Sequence, residues 1–208
     1  ASASLAGAGA NRADDQFAAR LAKPMPPRPT ARLAGGGSVA FRPTSIEEAL
    51  ALRAANPGAR LVAGATDVGV EVSRGGKRFP ALIMLGSIGA LRGVSRDDAG
   101  TRIGACVTMA ELKSWIPADQ FPTIHKVLPW FGSRQIRNRA TVGGNLMTAS
   151  PIGDLSVVWL TVNAEVALQS RTGVRWVPVS SFFTGYRQTA ATGDEVLIAV
   201  RVPPRAVP

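Results

Sequence analysis

Arg60-Leu61-Val62-Ala63-Gly64-Ala65-Thr66-Asp67 decides the architecture. Its first four residues form a short apolar run suited to a buried strand. Gly64 permits a tight turn, and Thr66-Asp67 stands where a helix begins, continuing through Val68-Gly69-Val70-Glu71-Val72. Upstream lie a short strand, Val39-Ala40-Phe41-Arg42, and a helix capped by Thr44 or Ser45 that runs to about Asn56. Glu47 and Glu48 occupy its favourable first turn, and Pro57-Gly58 ends it. Downstream, Ala81-Leu82-Ile83-Met84-Leu85 is a second buried strand. The order β-α-β-α-β predicts a small parallel sheet, because parallel strands need helical crossovers. At the start of the second helix, free backbone N–H groups and the helix dipole offer a site for an anion such as a pyrophosphate. An ordinary βα turn with a threonine cap reads the same way.

Beyond about residue 88 the pattern changes. Strands are expected over 91–95, 102–105, 165–169, 174–178 and 196–202, and helices over 109–115, 121–131 and 154–162. Arg96-Asp97-Asp98-Ala99-Gly100 and Ser170-Arg171-Thr172-Gly173 are turn-like links of the kind antiparallel hairpins use. The fold class is therefore α+β. A small parallel β/α lobe (38–88) is followed by a larger antiparallel-sheet lobe with helices (89–203), and 204–208 form a tail. Residues 1–37 read as a flexible linker: small residues first, then Lys23-Pro24-Met25-Pro26-Pro27-Arg28-Pro29, then Gly35-Gly36-Gly37, with at most a short amphipathic helix over 14–21. A linker at the start implies a preceding segment in a longer relative.

Composition excludes several functions. No apolar stretch reaches the roughly 18 residues of a membrane helix, and the N-terminal residues lack the pattern of a signal peptide. A single cysteine, Cys106, excludes a disulfide framework and an iron–sulfur cluster held by this chain, and a single histidine, His125, argues against a histidine metal centre. An intracellular, cytoplasmic, metal-free chain is expected. The net charge of +10 favours acidic partners in general. Only 6% of residues are aromatic, too few to interleave with the basic residues as single-strand binders require, so neither nucleic acid nor membrane is expected as a partner.

The richest chemical segment is Thr141-Val142-Gly143-Gly144-Asn145-Leu146-Met147-Thr148-Ala149-Ser150-Pro151-Ile152-Gly153-Asp154. Adjacent glycines let a ligand approach the backbone and leave N–H groups to donate. Thr141, Asn145, Thr148 and Ser150 add short polar groups, and the Asp154 carboxylate suits a polyhydroxyl partner. A plain glycine-rich loop ahead of a helix capped by Asp154 is the alternative. Just before it, Trp130-Phe131 offers a ring to stack on a flat heterocycle or to fill a core. Arg134, Arg137 and Arg139 could meet phosphate, an acidic partner or solvent. Cys106 reads as inert core. With one histidine and no nucleophile beside the acidic pairs Asp97-Asp98 and Asp194-Glu195, any catalysis falls to a cofactor.

These motifs resemble the FAD-binding domain of the molybdenum-containing hydroxylases, most closely its xanthine dehydrogenase branch. The matches are Leu61 to Asp67, Trp130-Phe131, Thr141 to Asn145, Thr148 to Leu155, and Phe182-Phe183-Thr184-Gly185-Tyr186-Arg187, which is typical of the xanthine branch. The resemblance implies an FAD domain of the vanillyl-alcohol oxidase type. Arg60, Leu61, Val62, Ala63, Gly64, Ala65, Thr66 and Asp67 would wrap the pyrophosphate, with Thr66 and Asp67 toward the flavin. Phe131 would lie on the isoalloxazine ring. Thr141, Val142, Gly143, Gly144 and Asn145 would form a second dinucleotide loop, followed by Thr148. Asp154 would bind a cofactor hydroxyl, and Leu197 would pack on the adenine half. The implied activity passes electrons from purine oxidation at molybdopterin, through 2Fe-2S clusters on partner domains or subunits, to FAD and then to NAD+. The cysteine-rich iron–sulfur domains and the small C-terminal subdomain of such enzymes are absent from this sequence. The expectation is therefore one piece of a larger enzyme. The alternatives are a flavoprotein subunit of a carbon monoxide or aldehyde type hydroxylase, or a basic binding module without redox chemistry.

Overall fold

The computed structural model describes residues 29–204. The strands β1 (Ala31–Gly35), β2 (Ser38–Arg42), β3 (Arg60–Val62) and β4 (Ala81–Met84) form one sheet in the order β1-β2-β4-β3. Helix α1 (Ile46–Ala55) links β2 to β3, and α2 (Thr66–Ser73) links β3 to β4. As expected, β2, β4 and β3 are parallel.

β1 corrects the linker assignment at its end. Ala31–Gly35 pairs antiparallel with β2 across Gly36 and Gly37, whose φ angles of 56° and 78° are those of a two-residue hairpin turn with both central residues left-handed. The glycine run that looks like flexible chain is thus a turn. The remainder of the expected linker, the helix over 14–21 and most of the tail lie outside the described residues.

The second sheet holds β5 (Val94–Asp97), β6 (Gly100–Gly104), β7 (Glu165–Ser170), β8 (Gly173–Pro178) and β11 (Val196–Val202), all antiparallel, in the order β5-β6-β11-β7-β8. Val196 to Val200 is continuously apolar because this sheet is covered on both faces. Ile103, Val166, Leu168 and Val200 face a core shared with helices α3 (Met109–Trp115), α4 (Pro122–Val127) and α7 (Asp154–Thr161). Ala167, Val196, Ile198 and Ala199 face the first lobe, against Ile46, Leu50, Ile83 and Leu85. A bulge between Leu197 and Ala199 breaks the alternation, so Ile198 and Ala199 both face the first lobe while Leu197 and Val200 face the helical side.

Three further differences have local causes. The helix expected over 121–131 is split into α4 and a 3-10 turn, Leu128–Trp130, because Pro129 has no N–H to continue the ladder. The glycine-rich loop is instead helix α6 (Val142–Thr148), N-capped by Thr141, which follows the short α5 (Arg134–Arg137). Asp154 opens α7 rather than capping it, since Gly153 holds the cap position. After β8 come α8 (Val179–Phe182) and a two-stranded ribbon, β9 (Phe183–Gly185) and β10 (Gln188–Thr189).

The segment entering β11 is held by charge. Buried Glu195 accepts from Arg175 Nε at 2.6 Å and Nη2 at 2.8 Å, and from the Thr192 N–H at 2.8 Å. The Arg175 bonds pull the carboxyl from 4.5 down to about 2, outweighing the opposing effect of burial. A carboxyl depressed on folding stabilises the fold fully above its ordinary pKa and loses that contribution as pH falls toward the folded value. Acid unfolding followed by circular dichroism should therefore show stability declining between about 4.5 and about 2, with Glu195→Gln flattening that limb. A variant with an unchanged acid limb would assign it to other groups.

Candidate functional site

The two lobes meet along a cleft of about 650 Å3. One wall is β3 and the turn into α2. Ala65 there has φ 66°, a left-handed conformation that costs a non-glycine residue about 1 kcal/mol or more. It occupies the N-cap of α2 without a capping side chain. The N–H groups of Thr66, Asp67 and Val68, in the first helical turn, find no acceptor among the described residues. The opposite wall is α6. The Thr148 hydroxyl lies 2.9 Å from Gly144 O and 3.1 Å from Asp67 Oδ2, so it ties the two walls together.

Every residue that the resemblance implies for the cofactor lines this cleft except Val142. Arg60 to Asp67 form one side, Thr141, Gly143, Gly144, Asn145 and Thr148 the other, and Phe131, Asp154 and Leu197 come from three further elements. Val142 is fully buried in the helical core, because on a helix it points away from the face that presents Gly144 and Thr148.

The α6 N–H groups do not donate outward, contrary to the expectation. Val142 N–H bonds Val107 O, Gly143 N–H bonds Ala105 O, Gly144 N–H bonds Thr141 Oγ1, and Asn145 N–H bonds Thr141 O. Of the two helix starts, only α2 keeps donors for an anion. The glycines also divide in role. A Cβ on Gly143 would lie 2.8 Å from Ala105 Cβ, whereas one on Gly144 meets only Thr141 Oγ1.

The cations at the cleft are Arg53, Arg60 and Arg187, of which Arg53 had no signal in its local sequence. Arg187 lies in the quoted motif Phe182 to Arg187, the one feature that could have marked it. Arg60 is paired to Glu71 at 2.9 Å, which Lys77 also contacts. Arg134, Arg137 and Arg139 are not in the cleft lining; Arg137 Nη1 instead donates to the carbonyls of Phe131 and Gly132, fixing the loop that carries the ring. Trp130 is 86% exposed, so of the aromatic pair only Phe131 faces the cleft. Cys106 lines it too, but burial raises its thiol to about 12, consistent with an unreactive core residue. His125 Nε2 is 2.9 Å from Ile116 O, a helix-to-loop tie remote from the site.

One observation tests whether this cleft suits a dinucleotide. Asn145 Oδ1 is buried without a partner among the described residues, on the same cleft as the unpaired donors of α2. Buried polar atoms rarely stay unsatisfied, and a ligand carrying both phosphate oxygens and hydrogen-bond donors would satisfy both walls. The residues fit FAD.

A parallel β/α lobe packed on an antiparallel sheet, with a long cleft bearing such groups between them, defines a flavin-dinucleotide-binding domain. The chain belongs to the family described as the FAD binding domain in molybdopterin dehydrogenase, which matches residues 33–205. It is 36% identical over 175 residues to xanthine dehydrogenase/oxidase of Gallus gallus, covering 78% of this chain and 13% of that protein. Xanthine dehydrogenase of Emericella nidulans is 33% identical over a similar span, again 78% and 13%. Among solved structures, carbon monoxide dehydrogenase from Hydrogenophaga pseudoflava matches with a TM-score of 0.75 at 29% identity, over 80% of this chain and 59% of that one. Quinoline 2-oxidoreductase from Pseudomonas putida 86 matches with a TM-score of 0.74 at 29% identity, over 79% and 58%. The chain thus spans about an eighth of the length of these curated relatives. No helix among the described residues is long and apolar enough to cross a membrane.

Proposed function

We propose that this chain is the FAD-binding oxidoreductase component of a cytoplasmic molybdenum hydroxylase of the xanthine dehydrogenase type. The single observation that carries the reading is the convergence of unpaired α2 donors, the unpaired Asn145 Oδ1 and Phe131 on one cleft. Its partners would be the iron–sulfur domain and the molybdopterin-binding subunit of the same enzyme, with NAD+ as acceptor. FAD, when bound, supplies the redox chemistry that takes electrons from iron–sulfur centres and delivers hydride to NAD+.

The chain's own residues bind and orient. Thr66, Asp67 and Val68 N–H groups hold the pyrophosphate, where an anion also gains from the dipole of α2. Asn145 Oδ1 accepts a hydrogen bond from the cofactor, and the exposed Asp154 carboxylate accepts from a sugar or ribityl hydroxyl. Phe131 walls the ring, and Leu197 covers the adenine half.

Identities of 30–36% to xanthine dehydrogenases support xanthine as the substrate class. The binding test is reconstitution of the apo chain. One FAD per chain is expected, held at least about tenfold more tightly than FMN, because the pyrophosphate contacts are worth about 1.4 kcal/mol or more. Equal affinity for the two would refute the pyrophosphate assignment. Xanthine-dependent NAD+ reduction by the complete assembly, compared with carbon monoxide and aldehydes, tests the substrate class.

A further inference from the structure

Arg53 sits on α1, away from every motif of the site, yet its side chain forms part of the cleft wall. It is partly buried, and its Nε donates to Gly193 O at 2.5 Å. Among the described residues it makes no other hydrogen bond, so its Nη groups have no partner there. The same lining holds Ala59, Leu61, Val196 and Leu197, an apolar set contributed by the start of β3 and of β11. Phe131, Ile136, Met147 and Ile152 belong to the lining on the α6 side, so the cleft has two apolar regions flanking the anion-binding turn.

Two classes of ligand group could meet Arg53. A phosphate would be drawn by charge, but the anion donors of this cleft stand at the start of α2, beyond the other end of β3 from Ala59 and Leu61. A flat base needs no net charge. It stacks on a planar cation held in one orientation, and an apolar slot of small and branched side chains removes its other face from water. The anchored Nε supplies that fixed orientation.

We propose that the Arg53 guanidinium is the stacking platform for the purine base of the dinucleotide, and so a determinant of preference for FAD over FMN. The inference rests on the proposed FAD function and adds a specificity residue to it.

The test compares the 208-residue chain with Arg53→Met and Arg53→Lys, titrating the apo proteins with FAD, FMN and ADP. Both variants are expected to weaken FAD and ADP by about tenfold, with FMN affinity unchanged. Arg53→Lys keeps the charge and loses the plane, so FAD affinity retained in that variant, with strong salt dependence, would assign Arg53 to phosphate and overturn the proposal. An equal fall for FAD and FMN would also overturn it, placing Arg53 at the flavin end or in the scaffold. The melting temperature of each apo variant separates the scaffold case from the flavin-end one. Wild-type protein that binds neither FAD nor ADP would instead sink the FAD reading itself.

Discussion

Gly144→Val is expected to weaken FAD binding by about a hundredfold while the apo chain keeps its fold. A Cβ at Gly144 has open cleft before it and meets only its own helix cap, Thr141 Oγ1, at 2.9 Å. The structural cost is loss or weakening of that cap, about 1 kcal/mol, set against a small gain from removing a glycine from a helix. For a chain of this length the apo melting temperature should move by only a few degrees. The branched side chain then occupies space where the cofactor must lie beside α6. Overpacking of that kind costs about 1–3 kcal/mol, the upper end of which is about a hundredfold in affinity. Flavin content after reconstitution and apo thermal melts report the two effects separately. Full flavin content in Gly144→Val would mean that the glycine serves the helix alone.

The contrast between Gly143 and Gly144 marks the limit of what the sequence reveals. Two adjacent glycines in a polar run point to close approach of something, and in the sequence both positions read as serving the ligand. The structure assigns one approach to Ala105, inside the fold, and the other to the cleft. A one-residue step along a helix turns a side chain by about a quarter of a turn or more, and nothing local in Val142-Gly143-Gly144 says which face will be buried. The same ambiguity placed Val142 at the site. Strands β2, β3, β4, β7 and β11 were legible because their apolar runs are bounded by turn residues. β1 was not, because Ala31 to Gly35 carries neither alternation nor an apolar run and owes its pairing to the hairpin turn at Gly36-Gly37. Arg53 was illegible for another reason: it reaches the cleft through the packing of α1 beside the Gly193 loop, 140 residues away in sequence. The strand-to-helix turn at Gly64 to Asp67, with unpaired N–H groups at its helix start, is legible in the sequence, since the geometry of a strand running into a helix is local.

Gly64→Ala is expected to disrupt both the fold and the cleft. The sequence reads this glycine as permitting a tight turn, but its φ is not in the left-handed range, so conformational freedom is not the reason for it. A Cβ there would overlap the carbonyl oxygen of Arg139 and stand 2.8 Å from its carbonyl carbon and 3.1 Å from Ala140 Cα. All three are backbone atoms, so no side chain can rotate away. Relief requires separating the β3–α2 turn from the segment that leads into Thr141 and α6, which is the contact that sets the width of the cleft. The cost should reach about 3 kcal/mol or more, the upper end for overpacking, and a fall in apo melting temperature of roughly 10 °C. FAD binding should be lost with it, because moving the turn carries the Thr66, Asp67 and Val68 donors away from Asn145 and parts Asp67 from Thr148. Saturating FAD cannot rescue such a variant if the walls no longer match, whereas it should raise the melting temperature of the wild-type chain by mass action. An apo Gly64→Ala chain that melts like the wild type would show that the two loops are not in backbone contact, and the cleft would have to be rebuilt around a wider separation.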